Sequence, residues 1–175
     1  VEVATGQEPY NFFMSYYISE SSLKIHQFNR LVKDLNGLSK QEFLIKLDMV
    51  YRIEDRGTLQ YRPKKKHHFS MYLDGHFYSL SLRKQFRKFK TPLEALSSQI
   101  IYDTVLKPIL GIDDLRNDHR IAYIDGKNDM VDVKNAIDAQ EFEVGFGMLP
   151  IGIQELKAVA DANLRMPPKS TYIEP

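Results

Sequence analysis

The sequence predicts an α+β fold, in which helices pack on a mixed or antiparallel sheet. Two alternating apolar runs flank Asp74-Gly75, which predicts a β-hairpin at about 67–82. Two Ser/Thr-x-x-Glu capping boxes, at Ser39 and Thr91, mark helix starts. The last third alternates strand-like and helix-like patterns, which is typical of layered α+β proteins. A single sequence does not predict the order of the strands.

The N-terminal part of the chain predicts two strands after an irregular lead. Residues 1–9 lack periodicity and are expected to form a linker or severed connection, followed by a single α+β domain over residues 10–175. The aromatic-rich stretch 10–19 is interpreted as a buried strand, and 23–35 as a second strand. In that second strand, strict alternation places Arg30 on one face and Asn29 on the other.

Two helices are predicted from their caps and apolar faces. The first follows the Ser39 box, and the second starts at Thr91 with Pro92 in its first turn and ends before Pro108. The apolar positions of the first helix are Phe43, Leu44, Leu47, Val50 and Tyr51.

The remainder predicts strand, helix, strand and helix in turn. Residues 120–125 form a short strand, and Met130, Val133 and Ile137 mark a helix. Residues 142–149 alternate apolar side chains with Glu and Gly, so they predict a strand with one apolar face. A last helix follows over 153–160.

Composition narrows the class of protein. The 175 residues are 43% hydrophobic and 27% charged, as in ordinary soluble domains. No apolar run approaches the ~20 residues that span a bilayer, and nothing resembles a signal peptide. Cysteine is absent, which excludes disulfides and thiolate metal sites. These features predict a cytoplasmic protein without a membrane partner.

The charge is distributed unevenly. Residues 61–90 carry nine Lys or Arg and one acid, a net charge of +8, whereas the whole chain has +1. Basic residues interleaved with Phe86 and Phe89 are a feature of single-strand nucleic-acid grooves. The pI of about 8.0 and the lack of a known motif argue against nucleic acid, and a solvated hairpin surface explains the pattern more simply.

Two groups of residues are candidates for anion binding. Lys169, Ser170 and Thr171 follow Pro167-Pro168, and a lysine beside two hydroxyls suits a phosphate. The alternative is a rigid exposed connection with a solvated lysine. Arg30, between apolar neighbours in a strand, suits an anion clamp. The alternative is a structural ion pair or an arginine on an edge strand.

Other chemistry finds little support. His68 and His76 are expected to lie near one another on the hairpin, but zinc-site spacing is missing and no metal site is predicted. The segment 124–130 is rich in Asp, Asn and Gly without the order of a calcium loop. No catalytic motif is visible, so the catalytic residues and any cofactor remain unassigned.

Several motifs together resemble a known family. They are VKDLNGLSKQEFL, LKPILGIDD, RIAYIDG, ELKAVADANLRMPPKST and YIEP. They resemble the C-terminal part of the prokaryotic domain of unknown function 1015 family, from about Tyr10 to Pro175. The family's Asp-Gly-His-His-Arg motif has no full counterpart, since Asp74-Gly75-His76 lacks the second His and the Arg. Asn29-Arg30 stands where the family commonly has His-Arg.

The resemblance implies a function for a larger protein. The Asp-Gly-His-His-Arg motif resembles that of ParB-like phosphate-handling proteins, some of which are small-molecule kinases acting on serine. This chain, expected to be a C-terminal fragment, would then supply a lobe whose Arg30 and Lys169-Ser170-Thr171 line the site of a phosphorylated or anionic small molecule or a nucleotide. The alternative is a non-catalytic interaction module whose basic hairpin contacts a protein or nucleic acid.

Overall fold

The computed structural model describes residues 6–7, 9–15, 17, 19 and 23–174. These residues form an α+β arrangement, as predicted. Short 3₁₀ turns lie at Pro9–Asn11, Lys84–Phe86 and Gly126–Asn128. The strands are β1 (Lys24–His26), β2 (Phe28–Val32), β3 (Tyr51–Asp55), β4 (His68–Leu73), β5 (His76–Leu82), β6 (Ile121–Asp125), β7 (Val144–Met148) and β8 (Tyr172–Glu174). The helices are α1 (Lys40–Asp48), α2 (Ser97–Ile101), α3 (Val131–Asp138) and α4 (Ile153–Asp161).

Six of the strands form an antiparallel sheet in the order β3-β5-β4-β7-β2-β6. The predicted hairpin is confirmed: β4 and β5 pair across Asp74 and Gly75, whose φ angles of +48° and +79° suit a tight two-residue turn. β1 and β8, which come from the two ends of the chain, form a separate two-stranded antiparallel sheet.

The two faces of the six-stranded sheet are covered differently. One face, here called the α1 face, packs against α1, α2 and a following π-helical turn (Tyr102–Leu106) through a large apolar cluster. The opposite α3 face carries a smaller cluster that includes Leu31, Tyr72 and Val133. α4 packs elsewhere, where Val159 meets Leu96 and Ile151.

Helix α1 begins where the sequence predicts. Ser39 accepts a hydrogen bond from the Glu42 amide, and the Glu42 carboxylate accepts one from the Ser39 amide. Phe43 and Leu47 are fully buried on the α1 face. Tyr51, which is predicted to lie in this helix, instead begins β3, where its hydroxyl lies 2.7 Å from Thr104 Oγ1.

The second predicted helix is shorter than its capping signal indicates. The Glu94 carboxylate accepts from the Lys90 amide, and Thr91 Oγ1 accepts from the Glu94 amide, so a capping turn is present. The helix itself starts only at Ser97, because Leu96 is extended and buried against Ile151 and Val159. Tertiary packing of one leucine thus overrides the local signal.

The aromatic stretch 10–19 is not a buried strand in the described residues. Its first residues form a 3₁₀ turn, and the next residues lack regular structure. Phe13, Met14 and Tyr17 are 87%, 87% and 94% exposed. Aromatic residues are buried only where another part of the structure packs against them. Among the described residues, nothing packs against Phe13, Met14 and Tyr17 in this way. Residues 16 and 18, like 1–5 and 8 of the predicted linker, lie outside the described residues.

The predicted strand 23–35 is split at Gln27. Residues before it pair with β8, and residues after it enter the six-stranded sheet between β7 and β6. The predicted alternation holds within β2: Val32 belongs to the α1-face cluster and Leu31 to the α3-face cluster.

Strand β7 allows α3 to approach the sheet closely. Val144, Phe146 and Met148 pack on the α1 face, as predicted. Phe142, predicted on the same face, precedes the strand and packs against the α3-face cluster instead. The other side of β7 is also buried, because Gly145 and Gly147 present no side chain there. A Cβ on Gly145 would lie 2.2 Å from Val133 Cγ1 of α3. The glycines therefore set the short distance between helix and sheet.

Candidate anion-binding site

Arg30 lies in the middle of β2 and is 1% exposed. Its Nη1 donates to the Phe28 carbonyl oxygen and lies 3.4 Å from Met148 Sδ. Its Nη2 donates to the Lys169 carbonyl oxygen at 3.3 Å. Arg30 therefore joins the core of the sheet to the segment that precedes β8.

The Arg30 charge has no counter-ion in the described part of the chain. None of the ion pairs found there includes Arg30. Burial lowers the pKa of the guanidinium to about 10, an effect that the nearby Tyr123 partly opposes. The group therefore carries a positive charge at neutral pH inside the protein. Among the described residues, Arg30 therefore takes part in no structural ion pair.

The backbone turns sharply at Lys169, whose φ is +51°. Its side chain is exposed, and Nζ lies 5.5 Å from the centre of the Phe28 ring. The Ser170 side chain is buried, and its hydroxyl donates to the Pro167 carbonyl oxygen. Thr171 is half-buried. Of the predicted group, Lys169 faces outward while Ser170 stabilises the turn.

Aromatic rings and a second lysine complete this surface. Phe28 and Tyr172 meet edge to face at 6.0 Å, and His26 lies 6.2 Å from Tyr172. Lys127 Nζ lies 4.8 Å from the centre of the Tyr172 ring. We call His26, Phe28, Lys127, Lys169 and Tyr172 the aromatic–lysine cluster. Two ammonium groups thus lie beside two adjoining rings.

Sequence reasoning missed four members of this cluster, namely His26, Phe28, Lys127 and Tyr172. Tyr172 reaches His26 and Phe28 only because β8 pairs with β1, in the register His26↔Tyr172. Lys127 lies in a 3₁₀ turn that follows β6, the neighbour of β2. The sequence gives only a weak indication of this cluster, since the segments of β1, β2, β8 and the turn after β6 each contain an aromatic residue or a lysine. Only the pairing of distant strands brings these residues together.

The histidines and acidic residues do not form a metal site in the described residues. No group of three or more His, Asp or Glu side chains there could hold a metal ion. The expectation that His68 and His76 lie near each other is wrong. They lie at opposite ends of the hairpin, because His68 pairs with Ser81 and His76 with Leu73. His76 Nδ1 instead lies 3.0 Å from the Asp55 carboxylate.

Part of the basic segment is neutralised within the chain. Arg62 pairs with Asp129 at 3.1 Å, Lys66 with Glu155 at 2.8 Å, and Arg83 with Asp48 at 3.0 Å. These pairs hold the hairpin region to the 3₁₀ turn before α3, to α4 and to α1. Carboxylates of the same chain therefore neutralise part of the positive charge of residues 61–90. This argues against a surface that binds nucleic acid.

The fold and this cluster define an α+β protein with a buried arginine and two lysines at one end of its sheet. Residues 2–109 match the family model described as a protein of unknown function, DUF1015. The chain therefore belongs to the DUF1015 family, as the sequence motifs predicted. No curated protein matches the chain.

Two solved structures are similar in part. One is a mutant free serine kinase in complex with AMP, at 10% identity and a TM-score of 0.49. The other is a free serine kinase in complex with AMP, at 13% identity and a TM-score of 0.44. Each match covers 87% of this chain and 54% of the other, so the chain spans about half the length of the structures it resembles. None of the helices in the described residues is long and apolar enough to cross a membrane.

Proposed function

We propose that this chain binds a phosphorylated or otherwise anionic small molecule, such as a nucleotide, at the aromatic–lysine cluster. The observation that carries this proposal is the buried Arg30, which has no carboxylate partner among the described residues. The two carbonyl oxygens that accept hydrogen bonds from Arg30 satisfy its donors but do not neutralise its charge, and a buried charge without an opposite charge is costly. A bound anion above it would lower that cost.

Arg30 acts as a positioning residue in this proposal. The Arg30 side chain is buried, so the guanidinium does not contact a ligand on the surface directly. It acts on the surface through its hydrogen bond to the Lys169 carbonyl oxygen. That hydrogen bond holds Lys169 in its left-handed turn, with the ammonium group exposed over Phe28. The charge of Arg30 adds to the potential at the same place. Lys169 is thus the residue expected to contact the anion.

The arrangement suits the stabilisation of negative charge. Lysine ammonium groups bind phosphate as point charges, and flat rings accept an aromatic group such as a base by stacking. A small-molecule kinase or phosphotransfer protein is one class that would use such a surface. The proposal concerns this chain's own residues and assigns no proton transfer to them.

Calorimetric titration with inorganic phosphate and with AMP tests the proposal. We expect saturable binding that Lys169→Ala weakens by at least about tenfold, the effect of one lost charge-assisted hydrogen bond. Lys64→Ala is the matched control, because Lys64 is an exposed lysine elsewhere on the surface. AMP binding tighter than phosphate binding would assign a role to the rings.

Two results would remove the proposal. The first is a lack of saturable heat for both ligands at low ionic strength, where charge attraction is strongest. The second is equal affinity in the wild type and in Lys169→Ala. Arg30→Lys, which keeps the charge but not the forked donors, tests the positioning role. It should weaken binding if the turn at Lys169 depends on that fork.

A further inference from the structure

The aromatic segment, residues 10–17, presents large apolar side chains to solvent. Phe13, Met14 and Tyr17 are the most exposed of them, and Tyr10 and Phe12 are exposed as well. Residues 9–19 contain no acidic residue, no Lys, no Arg and no His. A continuous apolar surface without charges is typical of an interaction site. The run is also rich in Phe and Tyr and free of Gly, a composition that favours an extended strand.

An apolar groove lies between α1 and the edge of the six-stranded sheet. Its apolar lining consists of Leu44 and Ile45 from α1, Ile53 from β3 and Tyr78 from β5, and its volume is about 640 Å³. Ile45 is exposed, and so is Met49, which lies one turn further along the chain. The groove is therefore open to solvent and continues into further apolar surface.

The charged side chains that line the groove already have partners within the chain. The pairs are Lys40 with Asp74, Asp48 with Arg83, and Asp55 with His76. A charged group that entered the groove would lose its water without finding a free opposite charge. The groove is therefore suited to an uncharged apolar occupant.

Strand β3, which contributes Ile53 to this groove, is an edge strand. It is the first strand in the order of the sheet, and among the described residues it pairs with β5 alone. An edge strand offers backbone donors and acceptors to an added strand. When a peptide adds to such an edge, the backbone hydrogen bonds supply affinity, and pockets for alternate side chains supply specificity.

We propose that the aromatic segment of a second copy of this chain occupies the groove and pairs with β3. Two copies exchange their segments reciprocally and form a closed dimer. The chain carries both halves of this contact, an uncharged aromatic segment and an apolar groove whose charges are already neutralised. Its own segment is attached across the sheet from the groove, because β1 leads into β2, and three strands separate β2 from β3.

The area of a reciprocal exchange agrees with a stable dimer. One large aromatic side chain buries about 150–250 Å². With half of each segment covered and the groove surfaces included, two contacts reach the roughly 1,200–2,000 Å² of a stable interface, whereas one contact alone does not. The reciprocal contact therefore favours a second copy over a different protein that would supply only one half.

This interface is independent of the anion-binding proposal. None of the residues of the aromatic–lysine cluster lines the groove. Lys169→Ala should therefore leave the dimer unchanged. Loss of the dimer by a change in the groove should in turn leave the response to phosphate unchanged. The two proposals thus fail separately.

Sedimentation equilibrium over a wide range of protein concentrations tests the proposal. We expect a mass that rises with concentration to twice the 20.4 kDa of one chain. The double variant Phe13→Asp/Met14→Asp and the single variant Ile45→Glu each place a carboxylate in the apolar contact, so each should weaken association by at least about tenfold. Val131→Asp, at an exposed apolar position of α3 on the opposite face, is the matched control and should dimerise like the wild type.

Cysteine trapping tests which surfaces meet, because the natural chain contains no cysteine. A chain with Phe13→Cys or Met14→Cys is mixed with an Ile45→Cys chain of different tag length in oxidised glutathione. We expect a disulfide-linked heterodimer with at least one of the two segment variants, since neighbouring residues of a strand point to opposite sides. A Val131→Cys chain should not be trapped with either of them.

Three results would overturn the proposal. The first is the mass of a single chain at every concentration, which would leave the segment to a different partner. The second is unchanged association in the folded double variant or in folded Ile45→Glu. The third is trapping of the segment with Val131→Cys as readily as with Ile45→Cys, which would show contact without a defined groove. Melting temperatures establish that each variant is folded.

Discussion

The two faces of the six-stranded sheet are stabilised in different ways. The α1 face has a wide apolar cluster built from large side chains, including Phe43, Leu47 and Phe69. The α3 face has a small cluster, and its helix lies close because β7 carries glycines there. The α1 face is therefore stabilised by large side chains that fill its core. The α3 face needs glycines in β7, because side chains there would collide with α3. Substitutions should distinguish these two modes.

The largest effect is expected on the α1 face. Leu47→Ala should lower the free energy of unfolding by about 2–5 kcal/mol, because the leucine is fully buried and its removal leaves a cavity. Urea unfolding measures this loss. Ile45→Ala on the same helix is the control and should cost less than about 0.5 kcal/mol, since Ile45 is 60% exposed. A loss below about 1 kcal/mol for Leu47→Ala would contradict the packing of α1.

The reverse change is expected to harm the α3 face. Gly145→Ala should cost about 1–3 kcal/mol, because the new Cβ meets Val133 Cγ1 at 2.2 Å and Leu31 Cδ2 at 3.1 Å. The same urea experiment applies. In a Val133→Ala background the added methyl group has space, so the cost of Gly145→Ala should fall clearly. Equal costs in both backgrounds would show that close approach of α3 is not the reason for this glycine.

The helices also differ in their own stability. α1 has a complete capping box at Ser39, whereas the residue before α3, Met130, makes no side-chain capping bond. Ser39→Ala should cost about 1 kcal/mol in thermal or urea unfolding. The exposed Gln41→Ala, in the first turn of the same helix, should have almost no effect. Equal effects of the two substitutions would argue against the cap as the source of stability.

Local signals in the sequence predicted most of this fold. The hairpin at Asp74-Gly75, the Ser39 box and the alternation in β7 each act over a few residues, and each was confirmed. Errors arose where distant contacts decide. Leu96 was predicted in a helix but is extended, because it packs against Ile151 and Val159. Phe13 was predicted to be buried but is exposed, because no described residue covers it.

The candidate sites were less predictable for the same reason. Arg30 and Lys169 could be selected by residue type, but their connection through the Lys169 carbonyl oxygen needs the fold. Tyr172 joins the cluster through the pairing of β1 with β8, which are separated by most of the chain.

The smallest expected effect concerns the tie between α3 and the sheet. The Tyr72 hydroxyl donates to Asp138 Oδ1 at 2.6 Å, so Tyr72→Phe should cost about 0.5–1.5 kcal/mol at neutral pH. Burial, together with this hydrogen bond, raises the pKa of Tyr72 to about 12. The folded state therefore holds the phenol proton more tightly than the unfolded state, whose pKa is near 10.

It follows that the stability supplied by the Tyr72 hydroxyl is fully present below pH 10 and is lost as the pH rises toward 12. The difference in unfolding free energy between wild type and Tyr72→Phe should thus be larger at pH 8 than at pH 11. Urea unfolding at the two pH values measures it, and the comparison with the variant cancels the titration of the other tyrosines. An unchanged difference would mean that the hydroxyl does not couple α3 to the sheet, and that apolar packing of α3 holds this face together without it.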